Sequence, residues 1–155
     1  MLKFCCRADA LLARLPESLV LLFVRIVAAY PFWASGRTKV EGVFSLRPEV
    51  IDLFRYEYQL PVISPELAAP ITATAEHALP ILLVLGLGTR FAALGLAIMT
   101  MVIQLFVYPD AWWTVHALWL GLLLVVISRG GGALALDRLI VRQNENGGEI
   151  PAASN

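Results

Sequence analysis

Long runs of apolar residues recur four times along the chain, and each run has the length of a membrane-spanning helix. Such a helix needs about 20 mostly apolar residues, within a range of roughly 17 to 25. The segments that meet this requirement are residues 18–36, 65–88, 91–108 and 111–128. Together they use roughly half of the chain, so too little remains for a separate soluble domain.

Turn-forming residues separate the apolar segments. Ser64 followed by Pro65 is typical of a helix N-terminus. Residues 86–88 predict a tight turn before Thr89, which can cap the third helix, and the glycines at 130–132 end the last segment. Short links of this kind make consecutive helices antiparallel neighbours. The pattern therefore predicts an all-α integral membrane protein, built as a four-helix up-down bundle.

The long connection between the first two spans, residues 37–64, contains a different helical pattern. Charged residues alternate with apolar ones over residues 48–58, which predicts a short amphipathic helix on the extracytoplasmic surface. Two interpretations are open. The helix has a structural role at the membrane interface, or it forms a partner-docking surface or a lid over an intramembrane site.

Composition supports a membrane protein and excludes several other classes. Hydrophobic residues make up 59% of the chain, charged residues only 15%, and the mean hydropathy is +0.73. A soluble domain of this size carries more charge on its surface, and a disordered chain is less hydrophobic. The formal net charge of zero gives no general attraction for nucleic acid. Membrane lipid is the expected surrounding.

Lysine and arginine are distributed unevenly between the two ends of the predicted bundle. Seven lie beside the termini and the second turn: Lys3, Arg7, Arg14, Arg90, Arg129, Arg138 and Arg142. Four lie at the opposite end: Arg37, Lys39, Arg47 and Arg55. The positive-inside rule then places both termini in the cytoplasm of a bacterial inner membrane. Residues 1–17 would be a cytoplasmic segment, 18–140 the transmembrane domain and 141–155 a disordered cytoplasmic tail.

A cleaved signal peptide is the alternative for the first span. Lys3, Arg7 and Arg14 precede its apolar run, and residues 27–29 offer small side chains for cleavage. Arg25 would interrupt the apolar region of such a peptide, so we favour a retained helix.

Two charged residues of opposite sign fall inside the predicted spans. Arg25 lies in the first and Glu76 near the middle of the second. An unpaired charge in the bilayer costs about 2.5–3.5 kcal/mol on an insertion scale, so we predict an Arg25–Glu76 ion pair. The pair either joins two helices or marks a site in which Glu76 carries a proton or holds a ligand.

A second polar group is predicted nearer the outer face. Its members are Lys39, Gln104, Tyr108 and His116, which together could bind a quinone head group or a small anion, or could simply lie in the headgroup zone. His77 follows Glu76 directly but points about 100° away around the helix, so it need not share that pocket.

The residue spacing does not indicate a metal or dithiol site. Cys5 and Cys6 are adjacent and form no C-x-x-C motif, so we interpret them as reduced cytoplasmic thiols. His77 and His116 would become ligands only if the fold brought them together, and no metal is therefore assigned.

Several short motifs occur in an order and spacing that resemble the DoxX family of small bacterial membrane proteins. They are an intramembrane arginine, an aromatic pair, Gly-x-x-Lys, a glutamate in the second span, a Gly-Leu-x-Thr-Arg turn and a closing Gly-x-Gly before Leu-Asp. Here these are Arg25, Phe32-Trp33, Gly36-Arg37-Thr38-Lys39, Glu76, Gly86-Leu87-Gly88-Thr89-Arg90, and Gly130-Gly131-Gly132 with Leu136-Asp137.

The resemblance implies an accessory or anchoring subunit of a redox or metal- and oxidative-stress system. Many relatives carry His where this chain has Ser35, so a role of that histidine does not transfer. Residues 99–109, with Trp112 and His116, resemble a subgroup that accompanies peptide-modifying enzymes, which are candidate protein partners. Two alternatives remain: a quinone-linked oxidoreductase subunit that uses Lys39, Glu76 and His116 around the head group, and a small proton-coupled transporter.

Overall fold

The computed structural model describes residues 15–42 and 45–147 and confirms the predicted all-α membrane bundle. Four of its helices are long and apolar enough to cross a membrane: Glu17–Lys39, Pro65–Leu85, Thr89–Phe106 and Pro109–Arg129. The ends of these helices lie within about three residues of the predicted ends, because the apolar runs are bounded by residues that stop helices.

The elements are numbered in chain order. They are α1 (Glu17–Lys39), β1 (Val40–Glu41), β2 (Ser45–Leu46), α2 (Pro48–Leu53), α3 (Pro65–Leu85), α4 (Thr89–Phe106), α5 (Ala117–Arg129) and α6 (Leu136–Gly147). The fourth span reaches α5 through a 3-10 turn, Pro109–Ala111, and a π-helical turn, Trp112–His116. The two short strands form an antiparallel hairpin that the sequence pattern did not predict.

The four long helices form a closed ring. Helix α1 packs against α3 and α5, and α4 packs against the same two helices from the other side. Buried alanines at the centre, including Ala28 of α1 and Ala93 of α4, let the backbones approach closely. Close packing of small residues is the main source of helix association in lipid, where apolar burial gives little driving force.

The predicted short helix between the first two spans is present. Helix α2 continues into a π-helical turn, Phe54–Tyr58, which Gln59 ends at a φ of +43°. Its apolar residues Val50 and Phe54 are buried in one cluster with Ala68 and Ala69 of α3. The segment thus covers one end of the bundle.

The opposite end of the bundle is closed around Gly86. This glycine ends α3 at a φ of +75°, and a Cβ atom there would overlap Nη1 of Arg25 and lie 2.6 Å from the Cα of Ala135. Its carbonyl accepts a hydrogen bond of 2.9 Å from the amide of Asp137. Only glycine fits a site that combines this backbone angle with such close neighbours.

Asp137 caps the N-terminus of α4 from a distant part of the chain. Its carboxylate accepts hydrogen bonds from the Gly88 amide at 2.7 Å, the Thr89 amide at 2.9 Å and the Thr89 hydroxyl at 2.7 Å. Thr89 was predicted to be the cap, but Gly88 occupies the N-cap position and makes no side-chain cap. The first backbone amides of α4 have no acceptor within the helix, and here they donate to a carboxylate. Its negative charge also interacts favourably with the helix dipole.

The chain ends differ in how far they are described. Helix α6 continues to Gly147, so the boundary expected at residue 140 falls within a helix. Residues 148–155 of the expected tail lie outside the described residues, as do residues 1–14 with Cys5 and Cys6.

Replacing Asp137 with alanine tests the distant cap. We expect Asp137→Ala to lower the free energy of unfolding by about 1–2 kcal/mol, because three hydrogen bonds to the start of α4 are lost. Unfolding by SDS titration in mixed micelles would measure the change. Asp110→Ala is the matched control, since Asp110 is exposed in a 3-10 turn and makes no side-chain cap; an equal loss there would contradict the assignment.

Acidic pH should remove the stabilisation that the Asp137 cap gives to the start of α4. Burial raises the pKa of Asp137, but the hydrogen bonds from Thr89 and Gly88 and the positive charge of Arg25 outweigh that effect, so the pKa is below its usual value. Stability that depends on a lowered carboxyl pKa is present above the unfolded-state pKa of about 3.9 and is lost as the pH falls through the folded-state pKa. The difference between wild type and Asp137→Ala should therefore narrow below about pH 4, and a constant difference would contradict this.

Candidate functional site

A cavity of about 300 Å³ lies inside the bundle at the end covered by α2. This volume is at the lower end of the range of small-molecule sites. Ile71 of α3 and Ile98 of α4 line the cavity, and their side chains are also exposed on the outside of the bundle. The cavity therefore reaches the lipid-facing surface between these helices. The polar residues on its wall are Ser35, Lys39, Tyr58, Thr72, Glu76, Tyr108 and His116.

A buried ion pair between α1 and α3 forms one side of the cavity. Lys39 Nζ lies 2.7 Å from Glu76 Oε2 and 3.0 Å from Oε1, and the two side chains are only 4% and 3% exposed. The Ser35 hydroxyl donates to Glu76 Oε1 at 3.0 Å and accepts from Lys39 Nζ at 2.8 Å. Lys39 and Ser35 share one face because they are one helical turn apart. The pair is thus held in a small hydrogen-bonded network.

The predicted Arg25–Glu76 ion pair is wrong. Arg25 is fully buried and donates to the carbonyls of Leu83 at 3.3 Å and Val84 at 3.0 Å, and to that of Leu134 at 3.1 Å. Leu83 lies roughly 10 Å along the helix from Glu76, at 1.5 Å per residue. The guanidinium is therefore level with the C-terminus of α3, whose last carbonyls lack helical partners and carry partial negative charge.

His116, in the π-helical turn before α5, also lines the cavity and is 3% exposed. Its Nδ1 is 2.7 Å from Oε1 of Gln104, whose amide nitrogen donates to the Pro109 carbonyl at 2.6 Å. An amide oxygen only accepts, so Nδ1 carries the proton and Nε2 is the acceptor. The ring also packs against Trp119 at a centroid distance of 5.5 Å. Gln104 thus orients His116 without lining the cavity itself.

Two tyrosines lie where the cavity meets the covering segment. The Tyr108 hydroxyl donates to Glu57 Oε1 at 2.9 Å, and the Tyr58 and Tyr108 rings are 6.2 Å apart. Burial raises the pKa of Tyr58, and the hydrogen bond with Glu57 raises the pKa of Tyr108. Both phenols therefore stay protonated at neutral pH, and the proton of Tyr108 is already donated to Glu57.

His77 faces away from the cavity, against the Trp33 ring at 5.2 Å. Its Nδ1 lies 2.7 Å from the Ala73 carbonyl, one helical turn earlier. A Cβ at Gly36 would come within 2.9 Å of this ring, so the glycine leaves space for it. His77 and His116 are therefore not brought together. Within residues 15–42 and 45–147, no three His, Cys, Asp or Glu side chains form a metal-binding group.

Several cavity residues were not predicted from the sequence. Ser35 was noted only as a departure from the family, yet it bonds both members of the ion pair. Its separation of four residues from Lys39 was the available signal. Tyr58 and Trp119 reach the cavity beside π-helical turns. Such turns have no simple sequence pattern, so these two positions could not be predicted from periodicity.

These features define a multi-pass helical membrane protein with a lipid-accessible internal cavity. Residues 20–109 match the DoxX family. The chain is also 30% identical over 135 residues to a Haemophilus influenzae protein named only as an uncharacterized protein, across 77% of this chain and 82% of that one. No solved structure matches the chain. The protein belongs to the DoxX family. The matched region includes Arg25, Lys39 and Glu76 but ends before His116.

A double-mutant cycle tests the buried ion pair. Lys39→Met or Glu76→Gln alone leaves a buried charge without its partner and should cost about 3–5 kcal/mol of unfolding free energy. Combining them removes both charges, so the loss should be smaller than the sum by about 1–3 kcal/mol. SDS-titrated unfolding of all four proteins measures this coupling.

The exposed pair Arg129–Glu17, at 3.1 Å, is the matched control. Arg129→Met and Glu17→Gln should each cost at most about 1 kcal/mol. Additive losses at Lys39 and Glu76, or coupling of Glu76→Gln to Arg25→Met instead, would contradict the pairing.

Proposed function

We propose that this protein is an accessory membrane subunit of a redox system and binds a quinone in its internal cavity. The observation that supports this proposal is one largely apolar cavity whose wall carries both the Lys39–Glu76 pair and His116. Ligand sites of this type combine apolar walls with a few polar groups that orient the ligand. The accessory role follows from the DoxX family, in which resemblance implies subunits that accompany redox enzymes.

The chemistry of a quinone matches the groups on the wall. A quinone head has two oxygen atoms that accept hydrogen bonds. Tyr58 carries a hydroxyl donor beside the cavity, and Lys39 could redirect to the ligand the donor that it gives to Ser35. A quinol also has hydroxyl groups that donate, and the Nε2 atom of His116 is an acceptor. The apolar tail would leave the cavity between Ile71 and Ile98 and lie among lipid chains.

We further propose that the protein resides in a bacterial inner membrane with both termini in the cytoplasm. The support is the uneven distribution of Lys and Arg, seven against four, between the two ends of the bundle. Residues 18–140 would form the membrane domain. The cavity would then lie at the outer leaflet, and α2 would cover it from the extracytoplasmic side.

Quinone binding can be tested with the intact protein in mild detergent. Lipid extracts of the purified protein should contain quinone, and added decylubiquinone should quench the fluorescence of Trp119, which lines the cavity. His116→Leu should weaken decylubiquinone binding by about fivefold, the effect of one lost hydrogen bond. Trp119→Phe should remove most of the quenching.

His77→Leu is the matched control, because His77 is an equally buried histidine outside the cavity. Its decylubiquinone affinity should remain within about twofold of wild type, well below the effect of one hydrogen bond. An extract without quinone together with no saturable quenching would overturn the quinone assignment, as would equal losses in the two histidine variants.

The accessory role needs a separate experiment. A tagged copy expressed at its native level should co-purify with an enzyme that contains a flavin or iron centre. Recovery of the protein without any such enzyme, under conditions that preserve other membrane complexes, would contradict an accessory role without affecting the quinone result.

A further inference from the structure

A positively charged depression of about 1030 Å³ lies at the end of the bundle opposite the cavity. We call it the arginine basin, and its exposed basic residues are Arg90, Arg129, Arg138 and Arg142. It is bounded by the first turn of α4, the glycines after α5, and α6.

Two of the acidic side chains that the structure describes lie near the basin, and both are already engaged. Both carboxylate oxygens of Asp137 accept hydrogen bonds from Gly88 and Thr89 at the start of α4. Glu17 pairs with Arg129 at 3.1 Å. Four arginines outnumber these two carboxylates, so the described part of the basin is positive and an anion is the ligand that its electrostatics favour.

Two of the arginines, Arg138 and Arg142, have side-chain donors that are not used within the described structure. Arg90 donates to the Ser128 carbonyl at 3.2 Å. The side chains of Arg138 and Arg142 make no hydrogen bond or ion pair within residues 15–42 and 45–147. They are four residues apart on one face of α6, which places two guanidinium groups side by side. Such groups form forked hydrogen bonds with phosphate oxygens.

Exposed apolar side chains lie directly beside these arginines. Phe91, in the first turn of α4, is 82% exposed, and Leu139 and Ile140 of α6 are about half exposed. Leu136 lies on the same face of α6 as Leu139 and Ile140, at helical spacing. A short helix with apolar and basic sides is typical of a segment that lies in the membrane interface.

We propose that the arginine basin binds the phosphate group of an anionic phospholipid, with α6 lying in the membrane surface. The phosphate would be held by Arg138 and Arg142, while the acyl chains would contact Phe91 and the apolar side of α6. Free phosphate would satisfy the arginines but leave these apolar side chains in water. The lipid is therefore the better match for the whole surface.

The test uses the full chain in dodecylmaltoside micelles that contain dioleoylphosphatidylglycerol or dioleoylphosphatidylcholine. Phosphatidylglycerol should raise the thermal unfolding temperature and remain bound in native mass spectrometry, and phosphatidylcholine should do neither. Arg138→Gln with Arg142→Gln should weaken phosphatidylglycerol binding by about 25-fold, since each arginine near anionic lipid contributes about fivefold.

Two further double variants test whether the loss of phosphatidylglycerol binding is specific to the arginine basin. Arg37→Gln with Arg47→Gln removes the same charge from the other end of the bundle and should leave the phosphatidylglycerol affinity unchanged. Arg138→Lys with Arg142→Lys keeps the charge and removes the planar fork, so it should give an intermediate loss even if the glutamine variant folds poorly.

Three results would overturn the proposal. Equal losses in the Arg37/Arg47 and Arg138/Arg142 variants would show general charge attraction. Wild-type affinity in both Arg138/Arg142 variants would exclude the basin. Equal stabilisation by inorganic phosphate, at the same concentration as phosphatidylglycerol, would show a free-anion site.

Discussion

A charge within hydrocarbon has no water to solvate it, and a lone charge there costs at least about 2.5–3.5 kcal/mol. The bundle meets this constraint at two depths. Near one end, Lys39 of α1 neutralises Glu76 of α3. Near the other, Arg25 of α1 bonds to carbonyls at the C-terminus of α3. Both solutions join the same two helices, so the relative height of α1 and α3 depends on burying these charges correctly.

The same constraint explains why the cavity has a polar wall inside an apolar bundle. Lys39 and Glu76 satisfy each other and Ser35, so the network is stable in the absence of a ligand. The three donors of the Lys39 ammonium bond to Ser35 and to both oxygens of Glu76, so a ligand that accepts from Lys39 would replace one of these bonds and leave another to hold the pair. A buried pair is weak support for stability by itself, and its position on a cavity wall is what gives it a functional interpretation.

The membrane-spanning helices could be predicted from the sequence because each apolar run is long and bounded by turn residues. The partner of Glu76 could not be predicted from the sequence. Periodicity shows which face of a helix a residue occupies, but the pairing of charges depends on the stagger between helices. The stagger brings Arg25 to Leu83, about two turns from Glu76, and Lys39 becomes the partner of Glu76 instead. The capping of α4 by Asp137 could not be predicted for a similar reason, because Asp137 is 48 residues from Thr89 along the chain.

Local irregularity limited the prediction of the cavity as well. Tyr58 and His116 both belong to π-helical turns, which depart from regular α-helical hydrogen bonding and are frequent at functional sites. Each residue of a regular helix adds about 100° of rotation. A residue that follows a π-helical turn therefore lies on a different face from the one that regular helical spacing predicts. Sequence spacing therefore placed His116 near the start of its span but could not show that it lines the same cavity as Lys39.

The two ends of the bundle are closed by interactions of different strength. At the Gly86 end, backbone bonds and the buried Arg25 fix the α3–α4 turn against the segment before α6. At the cavity end, the covering segment is attached by exposed polar contacts such as Arg55–Glu66 and Tyr108–Glu57, together with a small apolar cluster. Exposed ion pairs contribute little, so the covering segment can separate at lower cost than the opposite end.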